Sequence, residues 1–436
     1  MRTSALKYAI LSWSTTLTMI ILLAMPFHAL LTVWAASIIG HYTAVRLWKE
    51  FLLILCLIGT LFLMVTDRKI RFHTLSRRLV QVIILYGLVN LVWGLIAFHQ
   101  HAVTAKALGY GLIVNLRFLA FFLVTWASAL RTSRLRVHWQ WIVLWPAGIV
   151  VLFGLLQIVV LPHNFLAHFG YGPNTIPAFE TINHNAHYLR IASTLRGANP
   201  LGAYLLIPIG LLCILILRGK RQRLYGGLLL ATLVVEFFSF SRSAWIGAAL
   251  TIVTVLALSL RTERARKLFA LAAGGLVVLA AIAALALHNN VTFENYVMHT
   301  QHNSAVTSTS DQGHAAALKN GVHDLIHEPQ GRGTGTAGPA SVYNGNHPVR
   351  IAENYYAQIG QETGLIGLVL FLLINVGVGY LLWCRRGHPL ALSLFASLIG
   401  ISVIGLFSHV WTDDTIAYVW WGLAGIAMAP GLNKEE

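Results

Sequence analysis

An all-α, polytopic helical membrane protein is the fold class this sequence predicts, and three observations predict it. Of its 436 residues, 57% are hydrophobic and only 11% charged, and the mean hydropathy is +0.69, too apolar for a surface that faces water. Runs of about 18 or more apolar residues recur, the length a helix needs to cross about 30 Å of hydrocarbon. The runs are continuous and rich in Leu, Ile and Ala, whereas a transmembrane barrel shows alternating segments of about 10 residues. In lipid the backbone must satisfy its own hydrogen bonds, so these runs are expected to be helices.

Taken in order, about twelve transmembrane helices are expected: residues 9–39, interrupted at Pro26, then 50–66, 79–98, 107–130, 141–161, 200–217, 224–238, 243–260, 268–287, 364–384, 390–408 and 416–430. The first run lacks a small-residue cleavage site and reads as a retained span. Dividing the chain into two spans at Ser239–Ser243 makes the loop charges alternate. One side then carries Arg68, Lys69 and Arg71, Arg131, Arg134 and Arg136, Arg218 to Arg223, Arg264 to Lys267, and Arg385 and Arg386. By the positive-inside rule that side is cytoplasmic, with both termini on it. The net charge of +16 is therefore a topology signal, and no nucleic-acid partner is expected. Cys56, Cys213 and Cys384 lie in or at the ends of apolar runs, so no disulfide is expected.

Two long loops, 162–199 and 288–363, fall on the outer side and are the stretches large enough to build a site. The chain divides into an N-terminal transmembrane bundle (1–161), a core with an outer loop and arginine motifs (162–287), a large, partly helical outer loop carrying the candidate catalytic segment (288–363), and C-terminal transmembrane helices (364–436). The patch Ser304–Ser310 reads as a mobile loop.

Four stretches carry polar chemistry. In LRGANPLGAYLLIP, from Leu195, Asn199 reads as a helix cap before Pro200, and the helix start favours an anion. Arg196 and Arg190 stand beside it, either to bind that anion or as interfacial anchors. In SFSRSAWIG, Ser239–Gly247, Arg242 next to Ser241 is a cation on the side that the charge rule leaves poor in cations. It suits phosphate, which guanidinium grips bidentately, or a structural pair with Glu236. Arg117 falls near the middle of a span, where a cation needs a partner or a cavity; Glu236 or a lipid diphosphate is the expected partner. The fourth stretch, Gly331–Gly367, opens with GRGTGTAG, a loop like those that cradle phosphate but without the Lys-Ser/Thr ending. In it Asn354, Gln358 and Gln361 share one helix face headed by Glu353, and Gly364 and Gly367 permit close helix packing. Glu353 is a candidate base or a helix-start acid that complements the dipole.

Histidines crowd the outer loops: His163, His168, His184, His187, His288, His299, His302, His314, His323, His327 and His347. His184/His187 and His323/His327 have metal-ligand spacing but no accompanying cysteine and no H-E-x-x-H motif, so no metal is expected. His347, six residues before Glu353, is a second candidate base.

On RGANPLG (Arg196–Gly202), SFSRSAWIG (Ser239–Gly247) and GRGTGTAG followed by ENYYAQIGQETGLIG (Glu353–Gly367), in this order, the sequence resembles the bacterial O-antigen ligase and O-antigen polymerase superfamily. The resemblance implies a membrane glycosyltransferase of the bacterial inner membrane whose active site faces the periplasm. Its donor is an undecaprenyl-diphosphate-linked glycan, and its acceptor a lipid A-core sugar for a ligase, a growing glycan for a polymerase, or a Ser/Thr side chain for a protein glycosyltransferase. Ligases of the family carry His, then Asn, Ser or Gln, nine residues, and Gly. Asn354 and Gly364 match that pattern, and Glu353 stands at the histidine position.

The expected mechanism has Arg196 and Arg242, helped by Arg190, hold the diphosphate while Glu353 or His347 takes a proton from the acceptor; Asn199, Ser241, Asn354, Arg117 and Glu236 support them. With cations already present it needs no metal or cofactor, and attack opposite the leaving group inverts the anomeric carbon. A carboxylate ordinarily titrates near about 4.3 and an imidazole near about 6.5, so Glu353 needs desolvation to act as a base near neutrality. The reading from another class is a lipid or polysaccharide transporter lined by Arg117 and Glu236, which would ordinarily show internal repeats; none is visible.

Overall fold

The structure is a computed structural model that describes residues 2–182, 185–219, 221–260, 262–298 and 310–430. Every apolar run read as a span is helical. Helix α1 (Arg2–Ala24) and α2 (His28–Ile39) are parted by a 3-10 turn at Met25–Phe27, where Pro26 lacks the N–H that a continuous helix needs. There follow α3 (Trp48–Thr66), α4 (Arg78–His99), α5 (Ala105–Arg131), α6 (Arg134–Val159), α7 (Ala198–Leu217), α8 (Gln222–Phe238), α9 (Arg242–Ser259) and α10 (Glu263–Leu287). The second long loop contributes α11 (Ser310–His327), and α12 (Tyr355–Cys384), α13 (Pro389–Ile404) and α14 (Asp414–Met428) complete the bundle. Among the described residues, eight helical stretches are long and apolar enough to cross a membrane by themselves. Helices α8, α13 and α14, of 17, 16 and 15 residues, are shorter.

The outward faces are apolar. On α3, Phe51, Ile54, Ile58, Leu61 and Val65 recur at helical spacing and are all exposed; such a face suits hydrocarbon rather than water. The interior is aromatic around α14, where Tyr418 and Trp421 meet Phe118, Phe121 and Phe122 of α5. Helices α9 and α13 press together at glycines: a Cβ on Gly400 would lie 2.5 Å from the Gly247 carbonyl oxygen. The basic loops gather at one end, linked through Lys7 to the Thr66 carbonyl (2.5 Å), Arg131 to Asp67 (2.5 Å), Trp139 to His388, and Arg218 to the Gly387 carbonyl (2.7 Å).

A short antiparallel hairpin, β1 (Glu180–Ile182) with β2 (Asn185–Arg190), lies in the first long loop and sets Glu180 opposite Arg190. Two local expectations are corrected. Helix α7 starts at Ala198 with Gly197 as its cap, so Asn199 is inside the first turn and not the cap. Gly364 does not serve smooth helix packing: at φ +65° it breaks α12 into two pieces, a backbone state that a side chain would resist. Cys56, Cys213 and Cys384 are free thiols. Of the Ser304–Ser310 patch, 304–309 lie outside the described residues and Ser310 opens α11; the side chains of the His184/His187 pair, and His299 and His302, are also outside them.

Candidate functional site

The site forms at the end of the bundle opposite the basic loops, where α8 turns into α9. Ser239 ties that turn, its Oγ donating to the Glu236 carbonyl (2.6 Å) and accepting from the Ser241 N–H (3.2 Å). Phe240 takes a positive φ of +47°, and Arg242 follows as the first residue of α9. Arg190, at the end of β2, reaches three elements. Its Nε donates to the Ser239 carbonyl (2.9 Å), one terminal nitrogen donates to Asn199 Oδ1 (2.6 Å), and the other is 3.8 Å from the Glu180 carboxylate.

Across from these cations, Glu353 precedes α12 with φ +50°. Asn354 is the helix cap, accepting from the Ala357 N–H (2.9 Å) and donating to the Leu406 carbonyl (3.0 Å). The Glu353 carboxylate meets His314 of α11 directly. That contact holds the Glu353 carboxyl below the usual carboxylate range, outweighing the upward push of partial burial. The desolvation expected to make Glu353 a base is thus overridden by its neighbour.

A cavity of about 480 Å³ joins the two sides. Its polar wall holds Arg190, Asn199, Ser241, Arg242, Ser243, His314 and Glu353, and its apolar wall Phe240, Ile246, Leu318, Leu406 and Phe407. Ile246, Leu406 and Phe407 are exposed, so the cavity opens beside lipid-suited surface. Arg196 lines an adjoining cavity of about 340 Å³ with Glu180, His409 and Asp413, and Asn199 lines both. Burial pushes the His409 imidazole down to about 4 and the Asp413 carboxyl up.

The other candidates lie elsewhere. His347 is exposed on a loop whose Asn344 is tied to the start of α5, accepting from the Thr104 N–H (2.8 Å); it lines neither cavity. Arg117 does not pair with Glu236. It pairs with Glu50 (3.3 Å) and Asp414 and donates to the Thr412 carbonyl (2.6 Å), while Lys49 bridges Glu50 (3.0 Å) and Asp414 (3.3 Å) and His28 approaches Asp414 (3.2 Å). This buried network anchors the start of α14, and with it the 405–413 loop that lines both cavities. Both Glu236 oxygens are buried without a hydrogen-bond partner, so Arg242 does not pair with it either.

The glycine-rich loop closes on a carboxyl group of the protein itself, that of Glu362. Gly335 N–H donates to Glu362 Oε1 (2.8 Å) and Asn115 donates to Glu362 Oε2 (2.6 Å). Gly333 N–H donates to the Glu362 carbonyl (2.7 Å), closing the loop over the kink in α12. The expected polar stripe faces inward: Gln358 and Gln361 are 1% and 3% exposed, and Gln361 donates to Asp324 of α11 (2.7 Å). His323 and His327 stack at 3.9 Å on α11; among the described residues no group of three metal-ligand side chains forms.

Fold and site together define a polytopic membrane protein with a cation-lined cavity at one end of its helix bundle. Residues 227–372 match the family model described as O-Antigen ligase, which supports membership of the O-antigen ligase/polymerase superfamily. The match takes in Arg242, His314 and Glu353 and excludes Arg190 and Arg196. No curated protein matches the chain. Sequence reasoning did not single out His314 or His409: each meets the site through packing between elements, not through a spacing in the chain.

Proposed function

We propose that the chain is a membrane glycosyltransferase of the O-antigen ligase type. It moves a glycan from undecaprenyl diphosphate to a lipid A-core sugar at the periplasmic face of the bacterial inner membrane. The observation that carries this reading is that Arg190, Arg242 and Glu353 line one cavity. Two guanidinium groups match a diphosphate, and the exposed apolar rim suits an isoprenoid chain. Arg196, one cavity away, is in reach of a donor that extends past Asn199.

In the reaction the acceptor hydroxyl oxygen bonds to the anomeric carbon as the bond from that carbon to the diphosphate oxygen breaks. The electron pair leaves with the lipid diphosphate, whose charge the arginines stabilise, as preorganised donors do for developing charge generally. The hydroxyl proton passes to the Glu353 side of the cavity. Attack from the face opposite the leaving group inverts the anomeric carbon.

Glu353 at the histidine position departs from the ligase pattern, and the alternatives within the superfamily are a polymerase whose acceptor is a growing glycan and a protein glycosyltransferase. A reconstituted assay with a lipid-diphosphate glycan donor and each acceptor in turn decides. Product on lipid A-core supports the ligase, lengthened glycan the polymerase, and product on protein the protein glycosyltransferase; no product with any acceptor contradicts the glycosyltransferase reading.

A further inference from the structure

We propose that His314 is the group that takes the proton from the acceptor hydroxyl, and that Glu353 is its positioning residue. The inference rests on the glycosyltransferase reading above and names the base within it.

Three observations carry it. First, His314 Nδ1 and Glu353 Oε2 are in direct contact, and these two atoms are shielded from solvent with no other hydrogen-bond partner among the described residues. The His314 side chain as a whole is 42% exposed and lines the same cavity as Arg190 and Arg242. Second, the pairing is built by helix packing. Gly321, two turns along α11 from His314, lets α11 lie on the residues that flank Glu353: a Cβ there would be 2.7 Å from the Ala352 Cβ and 3.1 Å from that of Ala357. Leu318, on the same face, lines the cavity. Third, Glu353 holds a positive φ, which costs a non-glycine residue energy and persists where surroundings enforce it; here Asn354 and α11 do so.

The chemistry follows from the two ring nitrogens. A carboxylate against Nδ1 selects the tautomer with its proton there, which leaves Nε2 as the basic nitrogen. The ionised carboxylate then stabilises the imidazolium as the proton arrives, the role of the orienting third group beside a base. The hydroxyl proton goes to Nε2, the oxygen bonds to the anomeric carbon, and the pair from the broken bond leaves on the diphosphate. Among the described residues, the charged and titratable groups facing the pair are Arg190 from β2, Arg242 from α9 and His409 from the loop before α14.

The test uses the full chain in proteoliposomes with a fluorescent lipid-diphosphate glycan donor, comparing wild type with His314→Gln, Glu353→Gln and Glu353→Asp. His314→Gln is expected to lower kcat by about 100-fold or more, leave the donor KM within about threefold, and abolish the acid limb of the pH profile. Glu353→Gln is expected to lower kcat by about 10- to 100-fold and keep the acid limb, with Glu353→Asp recovering part of the rate. Near-wild-type turnover by His314→Gln overturns the proposal, as does an acid limb lost in Glu353→Gln and kept in His314→Gln. A wild type that transfers no glycan sinks the functional reading, and this inference with it. Diethyl pyrocarbonate labelling read by mass spectrometry needs neither turnover nor a foldable His314 variant. His314 is expected to react in the wild type and its rate to change severalfold in Glu353→Gln; an unchanged rate overturns the positioning role.

Discussion

Arg190 donates to Asn199 Oδ1 at 2.6 Å, so a cation carried by the β1–β2 hairpin is fixed by the first turn of α7. A charge-assisted hydrogen bond of this kind is worth about 1.5–3 kcal/mol. Asn199→Ala is expected to raise the donor KM by about 5- to 10-fold, a smaller cost than the full bond because Ser239 still holds Arg190. Steady-state kinetics with varied donor concentration check this; an unchanged KM would remove Arg190 from donor binding.

The Arg117 network makes a different prediction, about stability. Arg117→Ala leaves Glu50 and Asp414 buried with Lys49 and His28 alone, and breaking a buried ion pair on one side costs about 3–5 kcal/mol. Thermal unfolding in detergent is expected to shift down by several degrees. Arg117 lines neither cavity, so the surviving folded fraction should keep its donor KM. A variant as stable as wild type would show that the network does not hold α14 in place.

Glu362 should behave as a structural residue. Glu362→Ala strands the Gly335 N–H, which costs about 1–3 kcal/mol when left unpaired, and leaves the Asn115 amide with Asn90 Oδ1 (3.2 Å) as its remaining acceptor. Limited proteolysis is expected to cut within residues 331–338 in the variant and not in wild type. Equal protection in both would mean that the loop is closed by its backbone contacts alone.

Stability should also respond to acid through His409. Burial takes its imidazole down to about 4 from an ordinary 6.5. Between those values the unfolded chain takes up a proton that the folded chain refuses, so stability falls as pH drops through that window. From pH 7 to pH 5 the expected loss is about 2 kcal/mol. The depressed Glu353 carboxyl has its effect below the ordinary carboxylate range, where its stabilisation is lost on protonation, so the two are separable. Melting curves at pH 7 and pH 5 for wild type and His409→Gln check this: the difference should shrink in the variant.

Hydropathy and loop charge made the helices and their two-sided arrangement legible, because lipid imposes both on any chain that crosses it. Arg242 stood out for the same reason, as a cation at the end of the bundle away from the basic loops. Partnerships between distant segments were not legible. Arg117 finds Glu50 and Asp414, which are 67 and 297 residues away in a chain that gives no spacing signal. The glycine-rich loop looked like a phosphate cradle because carboxylate and phosphate ask the same of backbone N–H groups, and only the fold shows Glu362 already there. His314 was one histidine among many until α11 packed along α12.

Turnover of a lipid-diphosphate-linked glycan by wild type and by Arg242→Ala, in the same proteoliposomes, measures most directly whether the cationic cavity does the chemistry. Wild type is expected to release lipid diphosphate and form an inverted glycosidic product, and Arg242→Ala to fall by about 100-fold or more while inserting normally. Equal transfer by the two proteins would contradict diphosphate binding in this cavity.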